Sequence, residues 1–162
     1  MLAKAGIVSA VFTLTLISSV YAAPPTQGNR QSMVHDMGTS VMPFDLTRTQ
    51  HIFEMTVSGG IQDVVARDAT DVSQISLIRM HLQHEAELFK AGNYSDPTML
   101  HGADMPGIKD LEAGAAGVRV SYQPLADGAR IIFHTDDLTL LTAIHRWFGA
   151  QLSDHGADAT YR

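Results

Sequence analysis

The stretch "RMHLQHEAELFK", residues 79–90, places His81, His84 and Glu85 within about one turn if it is helical. His81 to His84 is an i,i+3 spacing and His81 to Glu85 is i,i+4, so the three side chains project from neighbouring positions of one helix surface. Two imidazoles and a carboxylate so placed can ligate a transition metal ion. The competing reading makes Leu77, His81, His84 and Leu88 the shoulder of an apolar face, with Glu85 solvated and Lys90 balancing Glu87. Downstream, "MLHGADMPG", residues 99–107, adds Met99, His101, Asp104 and Met105. Gly102 and Gly107 let that backbone fold back, and Pro106 stiffens the turn beside Met105. A helix that supplies two or three ligands and a loop that supplies the rest is a common way to close a site. The expected ligands are therefore His81, Glu85 and His101, joined by His84 and Met105.

The chain has eight His, eight Met and no Cys, so any metal site is built from imidazole, thioether and carboxylate. Imidazole with carboxylate suits zinc, nickel or copper(II), and imidazole with thioether favours copper. Copper is the expected ion, with zinc or nickel as the other candidates. Of the remaining histidines, His51 opens a strand, His134 ends one, His145 is expected as a packed residue with a hydrogen-bond partner, and His155 falls where a helix macrodipole favours it. Met33, His35, Met37 and Met42 form a second group of soft donors near the N-terminus. No P-loop, G-x-S-x-G, dinucleotide fingerprint or H-E-x-x-H is present; the order here is His-x-x-His-Glu. Binding is thus favoured over catalysis. The alternatives are a module for a non-metal ligand or a protein partner and, further off, a metal-dependent hydrolase with an open coordination position.

Two repeated units must position these residues. "HIFEMTV" and "IQDVVAR" read as strands joined across Ser58-Gly59-Gly60, and Val72, Ile75, Ile78, Leu82, Ala86 and Phe89 then recur at helical spacing up to Gly92. "VRVSYQPL" and "ARIIFH" read as strands joined at Ala126-Asp127-Gly128. A helix follows, through "LTLLTAIHRWFGAQLSD", with Asp68 to Asp71 and Thr135 to Asp137 as the two sets of caps. The predicted class is α+β: two ββα units forming one antiparallel sheet, with the helices on one face. Their hairpins can pair within one chain or across a homodimer. The 92–117 insertion between the units carries a helical candidate from Ile108 to Ala113, and a connection this long is more often functional than decorative.

Residues 1–22 read as a signal peptide: Lys4 gives the positive start, an apolar run follows, and Val20-Tyr21-Ala22 offers small residues to a signal peptidase. Cleavage would leave a periplasmic or secreted protein without a stable membrane span, since the run is short and soon meets Pro24-Pro25. Residues 23–45, polar and without periodicity, are expected as a flexible arm, and 46–162 as the single domain. With 11 basic against 17 acidic residues and no basic cluster, no nucleic-acid partner is expected.

Three blocks, "MPFDLTRTQHIFEMTVSGGIQDVVARD", "QISLIRMHLQHEAELFKAGNYSDPTMLHGADMPGIKDL" and "LLTAIHRWFGAQLSDHGAD", resemble a family of small exported bacterial proteins. Many members of that family bear the name aspartate carbamoyltransferase. The resemblance implies one compact exported domain and supplies no tested function. Carbamoyl transfer is rejected on physical grounds. Leu46-Thr47-Arg48-Thr49 resembles the transcarbamoylase S-T-R-T loop, but that loop cradles carbamoyl phosphate at a helix N-terminus in a two-domain enzyme about twice this length. Here a strand is expected to follow Thr49.

Overall fold

The structure, a computed structural model, describes residues 26–162; the expected signal peptide lies outside the described residues. The chain lays down α1 (Gln27–Gly38), β1 (Thr49–Thr56), β2 (Gly59–Ala66), α2 (Val72–Lys90), α3 (Ser95–His101), α4 (Ile108–Ala113), β3 (Arg119–Pro124), β4 (Gly128–His134), α5 (Leu138–His155) and β5 (Ala159–Tyr161). One sheet has the order β3-β4-β2-β1-β5. Its first four strands are antiparallel and come from the two hairpins, which join where β2 meets β4, with Gly60 opposite Phe133 and Val64 opposite Ala129. The fold is thus α+β with two ββα units paired inside one chain. β5 makes the sheet mixed, because it runs parallel to β1 after the chain returns from α5.

Strand alternation decides what faces the helices. In β1, Thr49, His51 and Phe53 are buried while Gln50 and Ile52 are less so; in β4, Ala129, Ile131 and Phe133 are buried. α2 answers with Ile75, Ile78, Leu82, Ala86 and Phe89, the stripe that its spacing predicts except for Val72, which the first turn leaves exposed. The caps are aspartates. Asp71 accepts a hydrogen bond from the Gln74 amide, and Asp137 accepts from the Thr139 and Leu140 amides. Such caps contribute about 1 kcal/mol each. Trp147, fully buried on α5, meets Phe89, Tyr94 and Phe133 edge-on at centroid distances of 5.4–5.5 Å. That cluster fixes α5 against α2 and β4.

Two glycines are required by close approach. Gly60 lies under the Phe148 ring, where a Cβ would come within 2.4 Å of it. Gly107 has φ +85°, and a Cβ there would meet the Ala143 carbonyl oxygen at 2.2 Å. The second contact seats the insertion on α5. Within that insertion the chain forms α3, α4 and a 3-10 turn at Ala115–Gly117.

The stretch whose composition predicts a flexible arm contains α1. This helix buries only Val34 and Gly38, so it shows no amphipathic pattern, and polar contacts far away in sequence hold it. Arg30 pairs with Asp154 and donates to the His101 carbonyl oxygen at 2.8 Å. His35 meets Asp158 at 2.6 Å, and Gln27 and Gln31 donate to the Ser153 carbonyl oxygen at 2.6 and 3.0 Å. Local periodicity carries no trace of partners more than a hundred residues away. Among the described residues, no helix is long and apolar enough to cross a membrane.

Candidate functional site

β1, α2, α3 and α5 converge on a cavity of about 50 Å³. Its polar lining is His51, Gln62, His81, Glu85, Asp96, His101, Gln151 and His155, and its apolar lining includes Met42, Leu82, Phe89 and Leu100. His51 arrives on the inward face of β1 between Thr49 and Phe53. Gln151 and His155 stand i,i+4 in the last turns of α5, and His101 closes α3.

The sequence-predicted ligands divide here. His81, Glu85 and His101 all line the cavity. His84 is exposed to solvent and Met105, although buried, lines a different surface depression beside Lys109 and Arg146. Helix geometry explains the split on α2. Relative to His81, Glu85 is rotated by about 40° one way and His84 by about 60° the other, so only one of them can follow His81 inward. His51, His155, Gln62, Gln151 and Asp96 complete the lining and were not legible as a group. His145 matches its expected structural part, its Nε2 lying 3.0 and 2.9 Å from the Thr56 and Gly59 carbonyl oxygens. The Leu46–Arg48 segment is a 3-10 turn running straight into β1, which gives no helix N-terminus for a phosphate.

The imidazoles are close together and oriented by their surroundings. His155 stacks on His51 at a centroid distance of 4.9 Å and 15°, and meets His101 edge-on at 4.9 Å. His101 Nδ1 lies 3.0 Å from Asp154, itself buried and paired with Arg30. An Nδ1–H donated to that carboxylate leaves the lone pair on Nε2. His51 Nδ1 has no partner among the described residues. The same holds for His155 Nδ1, Gln62 Oε1, Glu85 Oε1 and Gln151 Oε1. Buried polar atoms normally find partners, so five orphans around one small cavity call for a reason. Among the described residues, no group of three or more His, Asp or Glu side chains is already disposed to hold a metal ion.

Burial sets the charge states. It lowers the pKa of both His51 and His81 to about 4, and drives His101 and His155 below the usual imidazole value, so all four rings are neutral at pH 7. Burial, reinforced by a hydrogen bond to Asp96, raises Glu85 to about 8. Opposite stability slopes follow for the metal-free protein. Between pH 4 and about 6.5 the unfolded chain protonates histidines that the folded chain keeps neutral, so stability rises with pH. Between about 4.5 and 8 the folded chain keeps a proton on Glu85 that the unfolded chain has lost, so this group makes stability fall as pH rises. Several histidines outweigh one carboxyl below pH 6.5; above it Glu85 is joined by His35, whose pKa is raised by its hydrogen bond to Asp158, and both make stability fall as pH rises. Stability should therefore peak near pH 6.5, and Glu85→Gln should lessen the decline towards pH 8, leaving the His35 share; denaturant midpoints across pH 4–9 check both, and a wild-type plateau from 6.5 to 8 would contradict the assignment.

No family model, curated protein or solved structure matches the chain.

Proposed function

We propose that this is an exported, periplasmic metal-binding protein that handles copper, with the ion held in the cavity by imidazoles from His51, His81, His101 and His155 and by the Glu85 carboxylate. The observation that carries the reading is the cluster of neutral, buried, unpartnered donors around a cavity of about 50 Å³. A water molecule needs about 10–15 Å³ of such space. Small-molecule pockets run to about 300–1,000 Å³. The space therefore suits a single ion or a few waters and is too small for an organic ligand. Its chemistry selects a cation, since the rings offer lone pairs and the Glu85 carboxyl beside Asp96 holds a proton at pH 7 that it can release when an ion enters.

One feature beyond the ligands supports the same reading. Asp154 on His101 is the kind of outer partner that fixes the tautomer of a metal-bound imidazole. Loading requires the stacked His51 and His155 rings to turn about their side-chain torsions, so that their nitrogens point at one centre instead of lying parallel.

The test is elemental analysis of the purified chain after exposure to copper, zinc or nickel and exhaustive desalting, with a His51→Phe/His155→Phe variant alongside. The expected result is near-stoichiometric copper in the wild type and background levels in the variant. Equal, negligible metal in both would reject the reading.

A further inference from the structure

Resting on the metal reading just given, we propose that Met42 is the soft ligand through which the cavity takes up copper as the monovalent ion, from an outer cleft where His35 is the first donor. Met42 is only 6% exposed and lines two spaces at once. One is the buried cavity with its four histidines. The other is a surface cleft of about 450 Å³, bordered by His35, Thr39, Phe44, Asp45, Arg48 and Gln74 as well as Met42 itself. The Met42 side chain is therefore part of the wall between them. On the inner side, Phe44, also of the cleft, meets the His81 ring edge-on at 5.6 Å.

The composition of that wall is chemically selective. A thioether is a soft ligand that favours copper(I), whereas the imidazoles and Glu85 alone would serve divalent zinc or copper(II). Methionine is unbranched with three rotatable side-chain bonds, so its sulfur can turn to either side without moving the backbone. Gly38, at the end of α1, leaves the room: a Cβ there would stand 2.9 Å from the Met42 methyl carbon. His35, half-exposed and paired with Asp158 at 2.6 Å, stands at the mouth of the same cleft. Ala159, the residue after that partner Asp158, pairs with His51 where β5 meets β1, so outer and inner donors meet at one short stretch of chain. Met33 and Met37 are exposed on α1 but border neither space, which makes them an internal control for thioethers in general.

The experiment is an anaerobic competition in which a chromophoric chelator presents copper(I) to the full chain, with zinc(II) measured in parallel. Met42→Leu preserves volume and apolar character, and Met33→Leu/Met37→Leu is the control. Met42→Leu is expected to weaken copper(I) binding on the order of tenfold or more, equivalent to about 1.4 kcal/mol, while zinc(II) is unchanged and the control matches wild type. Copper X-ray absorption of the loaded wild type is expected to show sulfur in the first shell. A shell of nitrogen and oxygen alone, an unchanged copper(I) affinity in Met42→Leu, or equal losses for both ions would overturn the role of Met42 and leave the cavity reading standing. A wild type that holds neither ion would overturn both.

Discussion

Replacing His51 and His155 together by phenylalanine should abolish metal retention and at the same time leave the metal-free protein as stable as wild type or more so. Both imidazoles are buried with an unpartnered Nδ1, and each such atom costs about 1–3 kcal/mol of desolvation. Phenylalanine removes both atoms and can keep the stacked contact now made at 4.9 Å and 15°. The adjoining cavity takes up the small extra volume. Against this stands whatever overpacking strain the two larger rings still cause, about 1–3 kcal/mol. The net gain should be about 1–3 kcal/mol, or a few degrees in Tm for a domain of this size. Acid tolerance should improve as well, because two rings that are neutral only when folded no longer draw protons to the unfolded chain below pH 6.5. Calorimetry of the metal-free proteins at pH 5 and 7 checks this. A variant that melts well below wild type would mean that the two rings hold the fold together, which is the opposite of what a binding site needs.

Asp154→Ala should cost about 3 kcal/mol and weaken metal binding by about 10–100-fold. Asp154 is buried at the end of α5, where it accepts from Arg30 and from His101 Nδ1. Arg30 is 39% exposed, so its share of the pair is screened by solvent and most of the loss falls on the buried partner. Without the carboxylate, His101 loses the group that selects its tautomer, and Arg30 keeps only its bond to the His101 carbonyl oxygen. α1 should then come away first, since it has little apolar contact of its own. Hydrogen exchange that accelerates in Gln27–Gly38 before the sheet would display that order. Asp154→Asn retains an acceptor oxygen for His101 and should fall between the two. Unchanged exchange in α1 together with unchanged metal affinity would remove Asp154 from both roles.

The parts of the site differ in how visible they were beforehand. His81 and Glu85 are i,i+4 on a helix whose apolar stripe is strongly periodic, so their common direction follows from local geometry. His101 was reached through the glycine and proline pattern around it, although its actual setting is the end of α3 and not an open loop. His84 and Met105 share the residue chemistry of a site but not its position. Spacing alone places His84 on the same surface as His81; only the packing of α2 against the sheet decides which flank of His81 is covered. His51 and His155 carried no local signal at all. One is an alternating position in a strand and the other a helix-terminal residue, and both patterns have ordinary structural explanations.

By itself the sequence determined the elements and the class of the fold. Period-two alternation, period-3.6 stripes, glycine turns and aspartate caps act within a few residues, so the two ββα units are written locally. It also excluded thiolate chemistry, because the chain has no cysteine. Tertiary structure alone decided the rest. β5 joins β1 because α5 returns the chain to that edge, α1 is held by Arg30 to Asp154 and His35 to Asp158, and His51 reaches His101 and His155 only once sheet and helices close on one another. Those contacts span more than fifty residues of chain, and their worth lies in burial and partner geometry, which come into being only when the elements pack.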